Sequence, residues 1–207
     1  MFAQEVETEA IRQSQVWLRH IEFRRGAVYS IDAASGRGKS SLCAFIYGLR
    51  RDFLGTVTLG ARDVRTLDIK ALCDIRRHNL AWLPQGLDLF PELSALDNAL
   101  IKNRLTGHCS RPQIDGMFER LGIADRRDRP AGQLSIGQQQ RVALIRALCQ
   151  PFDFILLDEP VSHLDAENNR LCAALVREVA DAQGAGIIAT SVGNPLALTG
   201  QVNTLSL

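Results

Sequence analysis

The sequence predicts an α/β fold built on a mainly parallel sheet. Two observations lead there. Apolar runs of strand length alternate along the chain with stretches of helical periodicity. One of those runs also leads directly into a turn of small residues that opens a helix, in the stretch IDAASGRGKSS from Ile31 to Ser41.

The elements follow in order. Residues 1–15 show no clear alternation and fit a frayed edge strand, a short helix or a tail equally well. Val28 to Ile31 reads as a strand entering the small-residue turn. Behind it, SSLCAFIYGLRR places Leu42, Phe45, Ile46 and Leu49 at helical spacing, which predicts one apolar face. NLAWLPQ ends a second strand, FDFILLDEP is a third, GIIATS a fourth and VNTLSL a fifth. Between Gln85 and about Leu148 the pattern is mostly helical, as in RPQIDGMFERLGI and GQQQRVALIRALC. This predicts a helical insert in the sheet.

Composition narrows the functional classes. The 207 residues suffice for one good-sized domain or two small lobes, and 46% hydrophobic residues supply a core. Lys plus Arg number 24 against 23 Asp plus Glu, a net charge of +1, which argues against broad binding to nucleic acid. The cysteines Cys43, Cys73, Cys109, Cys149 and Cys172 show no C-x-x-C spacing. They read as free thiols of a reducing compartment rather than a zinc site. No apolar run reaches membrane-spanning length, and the start is acidic where a signal peptide is basic. The expectation is a soluble or peripheral chain whose membrane role, if any, runs through a partner.

Three stretches carry chemistry. The first is Ala33 to Ser40, which fits the phosphate-loop pattern G-x-x-x-x-G-K-[ST] except at its leading glycine, here Ala33. A strand-to-helix turn lets backbone N–H groups converge on a phosphate, and the helix N-terminus adds partial positive charge. Ala34, Ser35, Gly36, Arg37, Gly38, Lys39, Ser40 and Ser41 are the candidate nucleotide-binding residues. Lys39 reaches the β- and γ-phosphates, and Ser40 is a candidate Mg²⁺ ligand. Alanine at position 33 costs about 1 kcal/mol if that position requires a positive φ. Asp32, beside the loop, either repels the ligand or has a raised pKa, or else turns to solvent or an arginine; the sequence does not choose.

The second stretch, FILLDEP, delivers Asp158 and Glu159 to the end of a strand. Asp158 is a candidate for holding Mg²⁺ through water, and Glu159 for general base. Alone, the pair would read equally as an acidic strand end. The third is LSIGQQQRVALIRAL, where small and polar residues precede an amphipathic helix with Val142, Ile145 and Leu148 on one face. Ser135 and Gly137 make a second anion-binding helix end, or Ser135 is simply a cap.

Taken together these stretches resemble the ATP-binding cassette (ABC) ATPases. That family shows a phosphate loop, a loop glutamine, an LSGGQ signature, an Asp-Glu strand, a Leu-Asp loop and a switch histidine. The matching positions here are AASGRGKS, Gln85 in WLPQ, LSIGQ, LLDEP, SHLD from Ser162 to Asp165, and Ser191. Lys39 to Gln85 spans 46 residues, Gln85 to Ser135 spans 50 and Ser135 to Asp158 spans 23, so the match covers nearly the whole chain. The stretch from Thr66 to Leu100, with its pattern L-x-P-x-L-S-x-x-x-N, is similar to the subunits that serve lipoprotein release, macrolide export and cell division.

The resemblance implies one cassette over residues 1–207. Its parallel core carries a small N-terminal antiparallel β region and a helical subdomain at about 87–148. The ligands are ATP and Mg²⁺, the latter at Ser40, Gln85 and Asp158. Glu159, Gln85 and Ser191 are the catalytic candidates. Two cassettes face head to tail, so that Ser135, Ile136, Gly137 and Gln138 contact the ATP of the opposite subunit. Ser162 and Asp165 lie in the loop between them. A groove near Gln85, with Phe90 and Pro91, receives a helix of a membrane permease. This places the homodimer in the cytoplasm, on the inner face of the cell membrane, with no direct membrane insertion and no nucleic acid. A chain ending just after VNTLSL carries the further expectation that no C-terminal regulatory domain follows.

Three positions depart from the family pattern: Ala33, Ile136, and Ser191, which stands 32 residues after Glu159 in place of the histidine. Serine retains one donor but is shorter and uncharged, so hydrolysis about 100-fold slower, with ATP binding kept, is expected. His163 in the Leu-Asp loop reads as surface polarity. The usual aromatic partner of adenine falls at Ala10 or Ile11, leaving Phe2 and Trp17 as the nearest candidates, with Trp17 favoured as core. Two alternatives remain open. One is a weakly hydrolysing nucleotide-gated switch that signals to a membrane partner. The other, disfavoured by the lack of a second cassette, a coiled-coil arm or a zinc insert, is a cassette acting on DNA or ribosomes.

Overall fold

A computed structural model describes residues 12–207, and Ala10, Ile11 and Phe2 lie outside them. Its centre is a five-stranded sheet. The strands are β1 (Val28–Asp32), β4 (Leu80–Leu83), β5 (Phe154–Asp158), β6 (Gly186–Ser191) and β7 (Asn203–Ser206). Their order is β4-β5-β6-β1-β7, and every pairing is parallel. Parallel pairing requires crossovers, and helices supply them on both faces.

Alternation along the strands decides which helix covers which face. Tyr29 and Ile31 of β1, Leu156 of β5 and Ile188 of β6 point to one side. There they pack on Leu42, Phe45 and Ile46 of α1 (Lys39–Ile46). Val28, Ile155, Leu157, Ile187 and Ala189 point to the other side, against α5 (Ile136–Leu148) and α6 (Ala166–Gln183). The expected apolar face of α1 stops one residue short, because Leu49 is 59% exposed. The helix ends at Ile46, and Gly48 at φ 69° turns the chain away before Leu49 can join the stripe.

The antiparallel β region is a hairpin, β2 (Thr58–Leu59) with β3 (Arg62–Asp63), turning through Gly60 at φ 58°. It lies after α1; among the described residues no strand precedes β1. Next, α2 (Ile69–His78) is capped by Asp68, whose carboxylate accepts from the Ala71 N–H at 2.7 Å.

Between β4 and β5 the chain is helical, with α3 (Ala95–Asn103) and α4 (Arg111–Arg120) packed on α5. The expected one-sided apolar face of α5 widens to burial on every side from Val142 to Leu148. The loop before α3 is pinned from within. Buried Asn98 accepts from the Phe90 N–H at 2.8 Å and donates to the carbonyls of Phe90, Leu93 and Ser94. Ser94 caps α3 by accepting from the Asp97 N–H. Those bonds give the pattern L-x-P-x-L-S-x-x-x-N a physical reason: its Ser and Asn fix the backbone that presents Phe90.

Candidate functional site

The phosphate loop joins β1 to α1. Gly36 at φ 79° and Gly38 at φ 90° take the left-handed conformations that bend its backbone. Ala33 does not, so the strain considered for it is absent, and its methyl packs on the core instead. Lys39 is only 4% exposed, and its ammonium donates to the carbonyls of Ala33 (2.9 Å) and Ala34 (3.0 Å). Ser35 and Ser40 are exposed, while Ser41 accepts a bond from Arg50 at 3.3 Å. Trp17 is fully buried edge-on to Phe45, and its indole N–H donates to the Arg37 carbonyl at 3.2 Å. It is a brace behind the loop and presents no face to an adenine.

β5 ends next to that loop. Asp158 is 1% exposed and accepts from the Thr190 hydroxyl at 2.8 Å. Glu159, one residue on, has φ 51°, a conformation that costs a non-glycine residue about 1–2 kcal/mol. Neighbouring groups hold it there. Its N–H donates to the Thr190 carbonyl (3.2 Å) and hydroxyl (3.3 Å), and its carbonyl accepts from the Gln140 amide at 3.0 Å. The kinked backbone sends the carboxylate back to Lys39, with Oε1 3.5 Å from Nζ.

Gln85 follows β4. Its Oε1 accepts from the Ser40 hydroxyl at 3.4 Å, across a cleft of about 320 Å³ that Asp158, Trp82 and Arg50 also line. Hydroxyl, amide and carboxylate oxygens converging on one cleft form the hard, all-oxygen donor set that suits Mg²⁺ alongside phosphate. Sheet packing thus brings Lys39, Ser40, Gln85, Asp158 and Glu159 to one edge. A larger cavity, about 1090 Å³, lies elsewhere, between residues 16–25 and the β2–β3 hairpin. It contains the Arg25–Asp153 ion pair and no loop residue.

The signature residues stand apart from this edge. Ser135 caps α5, and its bonds with Gln138 run both ways: hydroxyl from the Gln138 N–H (3.3 Å), Gln138 Oε1 from the Ser135 N–H (3.0 Å). Ile136 is 49% exposed at the first position of the helix. A Cβ on Gly137 would lie 3.2 Å from the His163 carbonyl and from Leu164, so glycine permits the close packing of α5 on the 162–165 loop. In that loop Ser162 is exposed and bonded to His163, and Asp165 caps α6 through the Asn168 N–H (2.8 Å). Bonds from Asn168 hold the Asp165 carboxyl below the usual range.

Two contributors were not singled out by sequence. Buried Gln140 bonds Glu159, Ser162 and the His163 N–H (3.2 Å), tying signature helix, acidic strand end and loop together. Its visible trace is a lone amide at the head of the stripe Gln140, Ala143, Leu144, Ala147. Arg146 donates to the carbonyls of Leu87 and, at 2.6 Å, Asp88. Those two residues follow Gln85 and adopt φ 61° and 49°. Burial pushes the Arg146 guanidinium below its ordinary value, partly offset by Asp88.

Ser191 is buried at the end of β6, directly opposite Asp32 in the parallel register. Its hydroxyl donates to Asp32 Oδ1 at 3.0 Å, and the Gly193 N–H donates to the same oxygen at 3.3 Å. The one donor expected of Ser191 is therefore committed, because a carboxylate can only accept. Asp32 is exposed and its partner is a serine, not an arginine.

A sequence profile described as ABC transporter matches residues 19–162. An uncharacterized ABC transporter ATP-binding protein of Mycobacterium tuberculosis is 30% identical over 190 residues, 90% of this chain and 58% of that protein. The chain thus spans under two thirds of that relative's length. The lipoprotein-releasing system ATP-binding protein LolD of Maricaulis maris is 34% identical over 83% of this chain and 76% of its own. The macrolide export ATP-binding/permease protein MacB of Salmonella typhimurium is 35% identical over 82% of this chain and 27% of its own. Among solved structures, dimeric MJ0796, a bacterial ABC transporter cassette, matches with TM-score 0.75 and 27% identity over 90% of this chain and 84% of its own. Its post-hydrolysis state bound to ADP and Pi matches with TM-score 0.72 and 29% identity over 83% of this chain and 77% of its own. Fold, site geometry and relatives agree: the chain belongs to the ABC transporter family, as an ATP-binding cassette.

Proposed function

We propose that this chain binds and hydrolyses ATP as a subunit of a membrane export or release complex, working as a homodimer on a separate permease. One observation carries the reading: at the C-terminal ends of the strands Ser40 bonds Gln85 beside a cleft that Asp158 also lines, and Lys39 lies 3.5 Å from Glu159. Lys39 and the N–H groups from Ala34 to Ser41 hold the phosphates. Ser40, Gln85 and Asp158 would hold Mg²⁺, which when bound neutralises charge on the phosphates. Glu159, its carboxylate already turned toward the loop, accepts a proton from the attacking water.

The exposed ends of the signature helix and the 162–165 loop fit a second copy. Ser135, Ile136, Gly137 and Gln138 of one protomer face the ATP of its partner. ATP then favours the closed dimer because part of its phosphate contacts exist only there. Phe90, 51% exposed on a loop locked by Asn98, is suited to meet a permease helix, and the Gln85–Asp88 segment behind it transmits closure. No helix among the described residues is long and apolar enough to cross a membrane, consistent with a partner that does. LolD and MacB, named above, support the export or release assignment. A nucleotide-gated switch with little turnover is the second reading, favoured by the capture of the Ser191 proton by Asp32.

The test is ATP-dependent assembly. Glu159→Gln protein run by size exclusion with MgATP should elute as a dimer, and with Lys39→Ala added it should stay a monomer. A monomer in both cases would count against the paired-cassette reading.

A further inference from the structure

Two thiols that the nucleotide site does not use meet in the helical region between β4 and β5. Cys109 stands in the loop between α3 and α4, and Cys149 is the residue that follows α5. Both are free thiols of the same apolar cluster. Cys109 Sγ lies 3.9 Å from the carbonyl oxygen of Leu148, 39 positions further along the chain, and Cys149 comes next. Cys149 is fully buried. Cys109 is 8% exposed, in a loop where Gly107, His108 and Ser110 face solvent.

The backbone fixes both thiols. Asn103, at the end of α3, accepts from the Cys109 N–H at 2.8 Å and donates to the Cys109 carbonyl at 2.9 Å. The Cys149 N–H donates to the carbonyls of Ile145 (3.1 Å) and Arg146 (3.3 Å). From these positions the Cys149 thiol hydrogen-bonds the Cys109 thiol. That bond holds Cys109 below its ordinary value, against the opposing effect of burial. It raises Cys149, and burial adds to the rise. The thiol nearer solvent is thus the one that ionises, and a protonated thiol waits behind it. Thiol–disulfide exchange needs that order: an attacking thiolate first, a resolving thiol in contact with it.

We propose that Cys109 and Cys149 are a redox pair, which a low-molecular-weight disulfide converts to an intramolecular disulfide. Cys109 attacks one sulfur of the small disulfide, breaks its S–S bond and releases one small thiol. Cys149 then attacks the Cys109 sulfur, loses its proton and displaces the second small thiol. Two protein thiols are oxidised and one disulfide is reduced to two thiols. Once closed, the bond ties the loop before α4 to the end of α5, the helix whose other end carries Ser135. The inference does not depend on the nucleotide site.

The test uses oxidised glutathione on folded Cys73→Ser protein, since Cys73 is exposed and would take up glutathione by itself. Peptide mapping should find one disulfide, joining Cys109 to Cys149, and dithiothreitol should reverse it. Closing a loop of about 40 residues should lower the unfolding equilibrium constant about 30-fold or more, read as a higher urea midpoint in the oxidised protein. With Cys149→Ala added, Cys109 should stop at the mixed disulfide with glutathione. With Cys109→Ala added, Cys149 should stay unmodified. The main measurement leaves both cysteines in place, so it stands even where an alanine variant fails to fold. No Cys109–Cys149 disulfide in the folded protein, or one that forms only in urea, would overturn the pair. A lower urea midpoint after oxidation would show that the fold does not accommodate the bond and would overturn it too. Glutathione on Cys149 in the Cys109→Ala protein would overturn Cys109 as the attacking thiol.

Discussion

Lys39 Nζ lies 3.5 Å from Glu159 Oε1, so the ammonium that should receive phosphate is paired with the carboxylate that should activate water. Both side chains are mostly buried, and two loop carbonyls complete the lysine's shell. An entering phosphate must compete with all three for the ammonium. Glu159→Gln removes the charged competitor and should bind ATP about threefold more tightly or better. Lys39→Ala removes the cation and should weaken binding about 100-fold. The two tryptophans supply the signal: Trp17 is bonded to the loop and Trp82 lines the cleft. A fluorescence titration in which Glu159→Gln binds more weakly than wild type would contradict this competition.

Arg146 holds a strained turn. Its buried guanidinium bonds the carbonyls of Leu87 and Asp88, both left-handed, two and three residues after Gln85. Arg146→Ala should lower unfolding stability by about 2–4 kcal/mol, read as a shift in urea midpoint. Arg146→Lys should recover only part, since a point charge cannot span two carbonyls as a planar fork does. Full recovery by lysine would show that charge alone matters.

Ile136 occupies the first turn of the signature helix with its side chain half out in solvent. Glycine there costs the helix at most about 1 kcal/mol, yet clears a branched side chain from the surface proposed to meet the partner's nucleotide. Ile136→Gly in the Glu159→Gln background should form the ATP-dependent dimer at lower protein concentration. Sedimentation at several concentrations measures it, and a weaker dimer would make Ile136 a contact instead of an obstruction.

Alkaline pH should weaken the fold through its buried thiols. Burial pushes Cys172 up to about 12, and burial followed by the Asp158 charge raises Cys43. A folded pKa above the unfolded value gives stability that is complete below the unfolded pKa, near 9, and is lost as pH climbs toward the folded value. The urea midpoint should therefore fall from about pH 9 upward. Cys172→Ala loses packing at every pH but should flatten that fall. An equal slope with and without Cys172 would show that other groups set it.

Much of this site was legible because its signals are local. A loop between strand and helix, carboxylates at a strand end and Ser135 three residues before Gln138 are all short-range patterns. What escaped depends on the order of the sheet. Nothing near Asp32 in sequence announces Ser191, because only the placement of β1 beside β6 brings them together. The same holds for Arg146, whose acceptors are carbonyls nearly sixty residues upstream, and for Gln140, whose partners lie beyond β5. Leu49 failed for a local reason: Gly48 ended the helix before the apolar stripe did.

Steady-state MgATP turnover of the wild-type chain beside Glu159→Gln tests the central claim most directly. With Glu159 as general base, the wild type turns over and Glu159→Gln falls at least about 100-fold while still binding ATP. Equal rates in the two proteins would contradict the account and leave the nucleotide-gated switch in its place.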